Sequence, residues 1–428
     1  MTAPRIAPPT YVQQLMHDVD ALQPGTVFNP GFIMRGVFRM ADDVDVETLR
    51  LALADVIARH SALRTVLVSG SEGLRQRVLP PMAARLVVDR LDRGVSLAEY
   101  VHDVTMRDYG WEEPPLLWAH VVRHSEGTAL ILVAHHIVCD AWSMRLLERD
   151  VNAAYAARRE QRAPLGADVL QYWEIGEDDH SAKVRARIEG ALPYWRDRLA
   201  GVAGLGLPVE TRSPETGPPV VHPFAVPDTL RDAVAKAARR ARTTPFTLML
   251  SAFASAVLPD GDNVVPVLTS GRPAVEWQTV GCLLNLLPIR IDDTADEDLA
   301  ALVGRVDRAC REAYAHDTAL IHVLRAIPEL LTTLLSRDVL PPVFQMIPRM
   351  PIPDTVPDAG RLLRHVPDDV VPALPLTTPF LWSMRERDHL DGYVMYDGYV
   401  MYDSNLFSAA WMDRSVAAFL DRLAEIAR

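Results

Sequence analysis

Cysteine is scarce in this sequence, and its spacing excludes two common kinds of site. The chain has 428 residues and 3 cysteines, Cys139, Cys282 and Cys310. An odd number of scattered cysteines gives neither a disulfide framework nor a paired zinc site. No HExxH or CxxC cluster offers further ligands, which disfavours a metal site. This cysteine usage fits a reducing compartment, and we expect a cytoplasmic protein.

Long apolar runs and an excess of positive charge are also missing. No apolar run approaches the roughly 18 residues that a membrane-spanning helix needs. The first residues, MTAPRIAPPT, lack the apolar stretch of a signal peptide. The formal net charge is −12, which disfavours binding to nucleic-acid phosphates because that requires a basic surface. We therefore expect neither a membrane nor a nucleic acid as a partner.

Both halves of the chain alternate between helix and strand patterns. In VDVETLRLALADVIARHSALR, Leu49, Leu53, Val56 and Ile57 recur at helical spacing, and TVLV follows as a strand. LLWAHVVRH and TALILVAHH are typical of neighbouring strands joined through the turn SEG. The alternation returns after the proline- and glycine-rich stretch LPVETRSPETGPP. The sequence thus predicts an α/β protein with two lobes and a cleft between them, in the order 1–175, a connecting helix and linker at 176–219, and 220–428.

Four further segments carry local predictions. Residues 96–109 are predicted to form a helix, and the polar, acidic run EIGEDDHSAK is predicted to mark a weak boundary after the first lobe. Prolines cluster in 341–379, which favours an extended segment that crosses between lobes. DGYVMY at 391–396 recurs at 397–402. Six is an even number, so the repeat preserves strand alternation and predicts a lengthened strand or hairpin.

The stretch ILVAHHIVCDAWSMRLL, residues 131–147, carries the strongest chemical signal. An imidazole at the end of a strand can accept a proton near neutral pH, whereas Asp140 is predicted to cap the helix that begins after it. Three other interpretations stay open from these residues alone. The two histidines could be purely structural, HHxxxD could supply metal ligands, or Cys139 could act as a nucleophile.

Several motifs resemble one protein family. HHIVCDA is similar to the HHxxxDG signature of condensation domains of nonribosomal peptide synthetases, and of the wider chloramphenicol acetyltransferase-like acyltransferases. RHSALRTV at 59–66 resembles RHxxLRT, and VGCLLNLLPIR at 280–290 resembles VGxFxNxxPxR. Fainter matches follow in the family's order, from about residue 10 to the C-terminus: YVQQLMHDVDALQPGTVFN, ALPYWRDRLAG, AHDTALIHVL and PPVFQM.

The resemblance implies a fold and a set of site residues. The family has two chloramphenicol-acetyltransferase-like lobes arranged in a V, with the active site in a tunnel between them. In this family, an acceptor nucleophile attacks a donor thioester. Carried over to this chain, His136 is the catalytic residue that orients or deprotonates the acceptor, and His135 supports it. Asp140 holds the loop by pairing with Arg290 of the other lobe. Motif support comes from Arg64 and Asn285, and the expected channel residues are Ala141, Trp142, Ser143 and Gly281.

The resemblance also implies partners. Acyl or peptidyl carrier proteins deliver phosphopantetheine-bound thioesters, a free small-molecule acceptor is possible, and no cofactor is bound permanently. The product is an amide or ester of nonribosomal peptide or hybrid natural-product biosynthesis. No adenylation-type glycine-rich loop or GGxS carrier segment is present, so the expectation is a monomeric free-standing enzyme or one domain of an assembly line.

One departure keeps the alternatives open. The family usually has glycine where this chain has Ala141, and a methyl group there can narrow the donor channel or impair condensation. Trp142 and Ser143 agree with the condensation subgroup. The alternatives are an acyltransferase that uses acyl-CoA and a small free acceptor, and a catalytically silent condensation-like module that recruits other enzymes.

Overall fold

The fold is known from a computed structural model that describes most of the chain. The described residues are 3–29, 31–41, 43–71, 73–163, 165, 168–202, 206–213, 215, 217–293, 298–334, 339–348, 350, 352, 355–356, 360–366, 380–388 and 394–428. The helices are α1 Tyr11–Leu22, α2 Val46–Arg59, α3 Leu97–Thr105, α4 Ala141–Arg159, α5 Tyr172–Asp179, α6 Ala182–Leu199, α7 Asp228–Ala241, α8 Pro245–Val257, α9 Leu299–Ala315, α10 Leu320–Ala326, α11 Pro328–Leu334 and α12 Ala409–Ile426. None of these described helices has the length and apolar character needed to span a membrane.

Strands alternate with these helices along both halves. They are β1 Arg5–Ala7, β2 Ile33–Met40, β3 Thr65–Gly70, β4 Gly73–Val78, β5 Arg85–Arg90, β6 Leu117–His124, β7 Gly127–His135, β8 Leu207–Pro208, β9 Pro219–Ala225, β10 Gly261–Thr269, β11 Asn285–Asp293, β12 Val339–Leu340, β13 Val343–Ile347, β14 Leu363–His365, β15 Phe380–Asp388 and β16 Val394–Asp403. The predicted α/β class is therefore confirmed.

The chain divides into two compact units that are discontinuous in sequence. The first unit comprises 1–185, 270–284 and 351–374, and the second comprises the remaining residues. The predicted lobes are continuous ranges, so they differ from these units in the placement of 270–284 and 351–374. The expected V-shaped arrangement and the tunnel between lobes stay predictions.

The first unit is built on a mixed sheet. Among the described residues its strand order is β14-β2-β7-β6-β5, with β5 parallel to β6 and the other neighbours antiparallel. The predicted hairpin of LLWAHVVRH and TALILVAHH is thus β6 and β7. Helix α2 packs against α4, and its predicted apolar face is fully buried because Leu49, Leu53, Val56 and Ile57 all turn inward. Asp45 caps α2 by accepting from the backbone N–H of Glu47.

The second unit has its own sheet and core. Its strand order among described residues is β11-β10-β13-β15-β16-β9. Helix α8 packs against α9 and α12. Phe253, Phe344, Trp382 and Phe419 form a buried aromatic cluster, with the centroids of neighbouring rings 5.1 to 5.3 Å apart. Such tilted ring pairs stabilise the core beyond simple area burial.

One local prediction is correct in its element and wrong at the end of that element. The helix expected at 96–109 ends at Thr105, because Asp108 accepts from the N–H of Gly110 and Gly110 takes a positive φ of 59°. The acidic run EIGEDDHSAK lies mostly in α5, and the boundary between the two units falls two residues after it, between 185 and 186. Tyr172 and Ile175 bury one face of α5, and its acidic residues cover the other face.

The two remaining segments lie partly outside the described residues. Within 341–379, the structure describes β13 and β14, whereas 367–379 lies outside the described residues. Of the DGYVMY repeat, 391–393 lies outside the described residues. The described part forms the single strand β16, paired on both sides with β15 and β9, as the lengthened-strand prediction requires.

Candidate active site

The two histidines lie where strand β7 ends and a tight turn begins. His135 pairs with Ile33 at the end of the β2–β7 ladder. The next residue leaves the ladder, and the N–H of His136 donates to the carbonyl of Phe32 at 3.0 Å. A short 3-10 turn over His136–Val138 follows, and Nδ1 of His135 accepts from the N–H of Ile137 at 3.2 Å. His135 therefore shapes the turn, in agreement with its expected supporting role.

The imidazole of His136 is held on two sides. Its ring stacks on Phe32 with centroids 5.1 Å apart, and its Nδ1 lies 3.6 Å from the sulfur of Cys282. His136 is buried, with 7% of the residue exposed. Burial lowers its pKa, partly opposed by a hydrogen bond to its own backbone carbonyl and by the charge of Asp140. The imidazole is therefore neutral near pH 7 and can accept a proton.

Asp140 anchors the turn through three kinds of hydrogen bond. Its Oδ1 accepts from the N–H of Ser143 at 2.8 Å, which confirms the predicted helix cap. Both carboxylate oxygens lie 2.8 Å from Nη2 of Arg272, and Oδ2 also accepts from the N–H of Leu283 at 3.1 Å. Arg272 has a fully buried side chain. This is a charge-assisted, desolvated pair within the first unit.

The predicted pairing of Asp140 with Arg290 is wrong. Arg290 pairs with Asp262 instead, with Nε and Oδ1 2.7 Å apart. The reason is sheet register: Arg290 lies opposite Val264 in the β10–β11 ladder, so Asp262 is its diagonal neighbour on the same face. Arg290 belongs to the second unit, whereas the true partner, Arg272, follows directly after β10 in the segment 270–284 of the first unit.

The segment 270–284 is fastened to the start of α4. Ser143 Oγ donates to the carbonyl of Gly281 at 2.7 Å and accepts from its N–H at 3.0 Å. Trp142 Nε1 donates to the carbonyl of Trp277 at 2.9 Å. A Cβ atom on Gly281 would lie 2.4 Å from Cδ2 of Tyr172, so only glycine fits this close approach. Three of the expected channel residues, Trp142, Ser143 and Gly281, thus make packing contacts in the first unit.

Ala141 is the fourth expected channel residue. It is the first residue of α4 and is half-buried. Among the described non-glycine residues, positive φ occurs at Gln161 and Arg242, so the backbone of Ala141 is not left-handed. Alanine therefore costs no backbone strain in place of the family's glycine. Its lining of a donor channel stays a prediction.

The two support residues hold backbone rather than substrate. Arg64 donates to the carbonyls of Ile57 and Ala58 at 3.3 Å, which satisfies free carbonyls at the end of α2. Asn285, in the second unit, donates to the carbonyl of Thr318 at 2.9 Å and accepts from the N–H of Leu320 at 3.0 Å. Both therefore stabilise turns in their own units.

Sequence reasoning missed three residues of the site. Besides Arg272, these are Cys282, which contacts His136, and Tyr172, whose hydroxyl lies 3.0 Å from the carbonyl oxygen of Cys282. All three act across more than 100 residues of sequence, so no local spacing marks them. The motif VGCLLN was the one available signal, since it places Cys282 beside Gly281.

Two of the open interpretations lose support here. Burial raises the pKa of the Cys139 thiol well above its usual value, and the side chain is fully buried, which disfavours a nucleophilic thiolate. Within the described ranges, no group of three or more His, Cys, Asp or Glu side chains lies close enough together to hold a metal ion.

Comparisons with known proteins place the chain in a family. CymA of Salinispora arenicola, described as "Probable non-canonical nonribosomal peptide synthetase (NRPS) CymA", is 31% identical over 334 residues, which cover 74% of this chain and 4% of CymA. Isonitrile lipopeptide synthase of Mycobacterium tuberculosis is 29% identical over 351 residues, which cover 75% of this chain and 13% of that protein. The chain thus spans only a small part of these relatives.

Solved structures share the whole fold. SgcC5 from Streptomyces globisporus has a TM-score of 0.82 at 28% identity, with 98% of both chains covered. The first condensation domain of the CDA synthetase has a TM-score of 0.78 at 18% identity, which covers 99% of this chain and 96% of that chain and shows the fold alone. The sequence profile of the family described as "Condensation domain" matches residues 8–346. This chain therefore belongs to the condensation-domain family.

Proposed function

We propose that the protein condenses a carrier-bound acyl or peptidyl thioester with an amine or alcohol acceptor, in nonribosomal peptide or hybrid natural-product biosynthesis. The observation that carries this proposal is the restrained imidazole of His136 at the end of β7, whose pKa is lowered by burial. Membership of the condensation-domain family supports the reaction class. The expected partners are acyl or peptidyl carrier proteins, and the expected state is a cytoplasmic monomer.

The proposed role of His136 follows from its two ring nitrogens. Nδ1 lies beside the sulfur of Cys282, which leaves Nε2 for the acceptor. As the acceptor nitrogen or oxygen attacks the thioester carbonyl carbon, its proton passes to Nε2 of His136. Collapse of the tetrahedral intermediate breaks the carbon–sulfur bond, and the departing thiolate takes that proton back. Positioning of the acceptor by the same nitrogen contributes to the rate alongside proton transfer.

Asp140 and Arg272 act as positioning residues in this proposal. The ion pair between Asp140 and Arg272 joins the start of α4 to the segment that carries Cys282, and both elements contact the turn of His136. It therefore fixes the orientation of the imidazole without touching the reacting atoms. The phosphopantetheine arm is part of the substrate and not a resident cofactor, so no permanent cofactor site is proposed.

The identity of the acyl donor distinguishes the proposed reaction from an acyltransferase that uses acyl-CoA. One acyl group is loaded on a phosphopantetheinylated carrier protein and, separately, on coenzyme A, and each is incubated with the same panel of amines and alcohols. We expect mass spectrometry to detect product with the carrier-bound donor and little with the CoA donor. Faster product from acyl-CoA would favour the free-acceptor acyltransferase. Carrier binding without any product across the panel would favour a recruitment module.

A further inference from the structure

The first unit contains an open cavity with His135 in its wall. Its volume is about 230 Å³, enough for a small organic molecule. The loop after α1 supplies Phe28, β2 supplies Ile33, and the turn after α3 supplies residues 108–113. None of these side chains takes part in the proton transfer proposed at His136, so the cavity needs an explanation of its own.

His135 offers this cavity a hydrogen-bond donor. Because Nδ1 accepts from the N–H of Ile137, the proton of the neutral ring lies on Nε2. The residue is 4% exposed, and burial keeps the ring neutral. Nε2 has no hydrogen-bond partner among the described residues. Buried N–H groups are seldom left without an acceptor, so Nε2–H of His135 can donate a hydrogen bond to an oxygen atom of a ligand in the cavity.

The same wall presents a flat apolar surface. The rings of Phe28 and Trp111 stack with centroids 4.0 Å apart and planes inclined by 24°. Phe28 also stacks on His135 at 6.0 Å and 19°, so the three rings form one series. Phe28 and Trp111 are each half-buried, which leaves part of their surface for a ligand. A planar or branched apolar group packs well on such a surface.

Carboxylates surround the opening of the cavity. Asp108, Glu112 and Glu113 are all exposed and all line it. Two arginines lie near this rim, fewer than its three carboxylates: Nη2 of Arg85 is 3.9 Å from Glu113, a distance that leaves the pair weak, and the charge of Arg107 acts on Tyr109. The rim therefore favours a positively charged group, and the attraction should weaken as salt is added.

We propose that this cavity binds a small primary amine that also carries an apolar group and a carbonyl or hydroxyl oxygen. The ammonium group lies among the rim carboxylates, the apolar group packs on Phe28 and Trp111, and the oxygen accepts from Nε2–H of His135. This site is separate from the chemistry at His136, and its occupation does not depend on turnover.

Phenylalaninamide has all three features and is the probe for a binding experiment. Titration calorimetry and tryptophan fluorescence at low salt should show saturable binding to the full chain. Trp111→Ala should weaken binding about tenfold, the effect of losing one aromatic contact. Glu112→Gln combined with Glu113→Gln should also weaken it. Matched controls are Trp173→Ala, at a half-buried tryptophan that contacts Arg5, and Glu126→Gln, at an exposed turn between β6 and β7; neither should change the affinity.

Changes in the probe test the other two contacts without altering the fold. N-acetylphenylalaninamide lacks the cation and phenethylamine lacks the oxygen, so each should bind more weakly than phenylalaninamide. His136→Ala should bind phenylalaninamide as the wild type does, even if it has lost all condensation activity. The proposal is overturned if the wild type binds none of these amines. It is equally overturned if His136→Ala abolishes binding while Trp111→Ala leaves it unchanged.

Discussion

Asp140 shows what sequence can and cannot specify about a single residue. Its role as a helix cap follows from its position just before the apolar pattern of α4, and this prediction is confirmed. The predicted ion pair with Arg290 is wrong: the partner is Arg272, which lies 132 positions from Asp140, and no periodic pattern connects the two. Side chains at helical or strand spacing can be paired from sequence. A contact between residues so far apart in sequence depends on the completed fold.

The buried pair leads to a stability prediction. Arg272→Met leaves Asp140 as an uncompensated buried charge, and we expect a loss of ~3–5 kcal/mol in the free energy of unfolding. Arg158→Met is the matched control, because Arg158 forms a two-pronged pair with Asp55 at the surface of the same unit. There we expect a loss of at most ~1 kcal/mol. Urea unfolding measures both, and equal losses would mean that the Asp140 pair is not specially desolvated.

His120 leads to a prediction about pH. Burial lowers its pKa to about 4, against an unfolded value near 6.5. Between these values the unfolded chain binds a proton that the folded chain does not, so folding weakens as the pH falls from 6.5 towards 4. His120→Phe should remove up to ~1.4 kcal/mol per pH unit of this dependence. Urea unfolding at several pH values tests this, and an unchanged slope would show that His120 is protonated in the fold.

At the scale of elements, local sequence pattern predicts many helices and strands but not where each of them ends. The apolar spacing in α2 and the strand pair β6–β7 is strong enough to be read directly. Helix α3 stops early because the turn at Asp108 and Gly110 is decided by a side-chain hydrogen bond. Helix α5 is difficult to predict because its composition is acidic and only a few of its residues, including Tyr172 and Ile175, are buried.

The close approach between Gly281 and α5 gives a prediction at this scale. Gly281→Ala places a Cβ atom against the ring of Tyr172, and we expect ~1–3 kcal/mol of destabilisation from overpacking. Gly304→Ala makes the same chemical change in α9, where nothing lies within 4 Å, and should stabilise the protein by ~0.5–1 kcal/mol. Thermal unfolding separates the two. Two changes of the same sign would contradict the packing at Gly281.

At the scale of the whole molecule, membership of the condensation-domain family rests on motifs distributed along the chain. The signature at 135–141 and the segment at 280–290 lie far apart in sequence, yet 270–284 joins the first unit and contacts the first signature. Continuous lobe boundaries do not follow this segment, because its sequence mixes polar and apolar residues and carries no mark of the unit it joins. Partner and substrate identity are also absent from local pattern, since they depend on surfaces drawn from many elements.

The most direct test of the account is the effect of His136→Ala on product formation from a carrier-bound donor. The substitution is made in the full chain, and circular dichroism and urea unfolding confirm that the fold is retained. Intact-protein mass spectrometry then measures the rate of acyl transfer to the acceptor. We predict a fall of about 100- to 10,000-fold relative to the wild type. A folded His136→Ala protein that forms product at the wild-type rate would contradict the assignment of His136 as the catalytic residue.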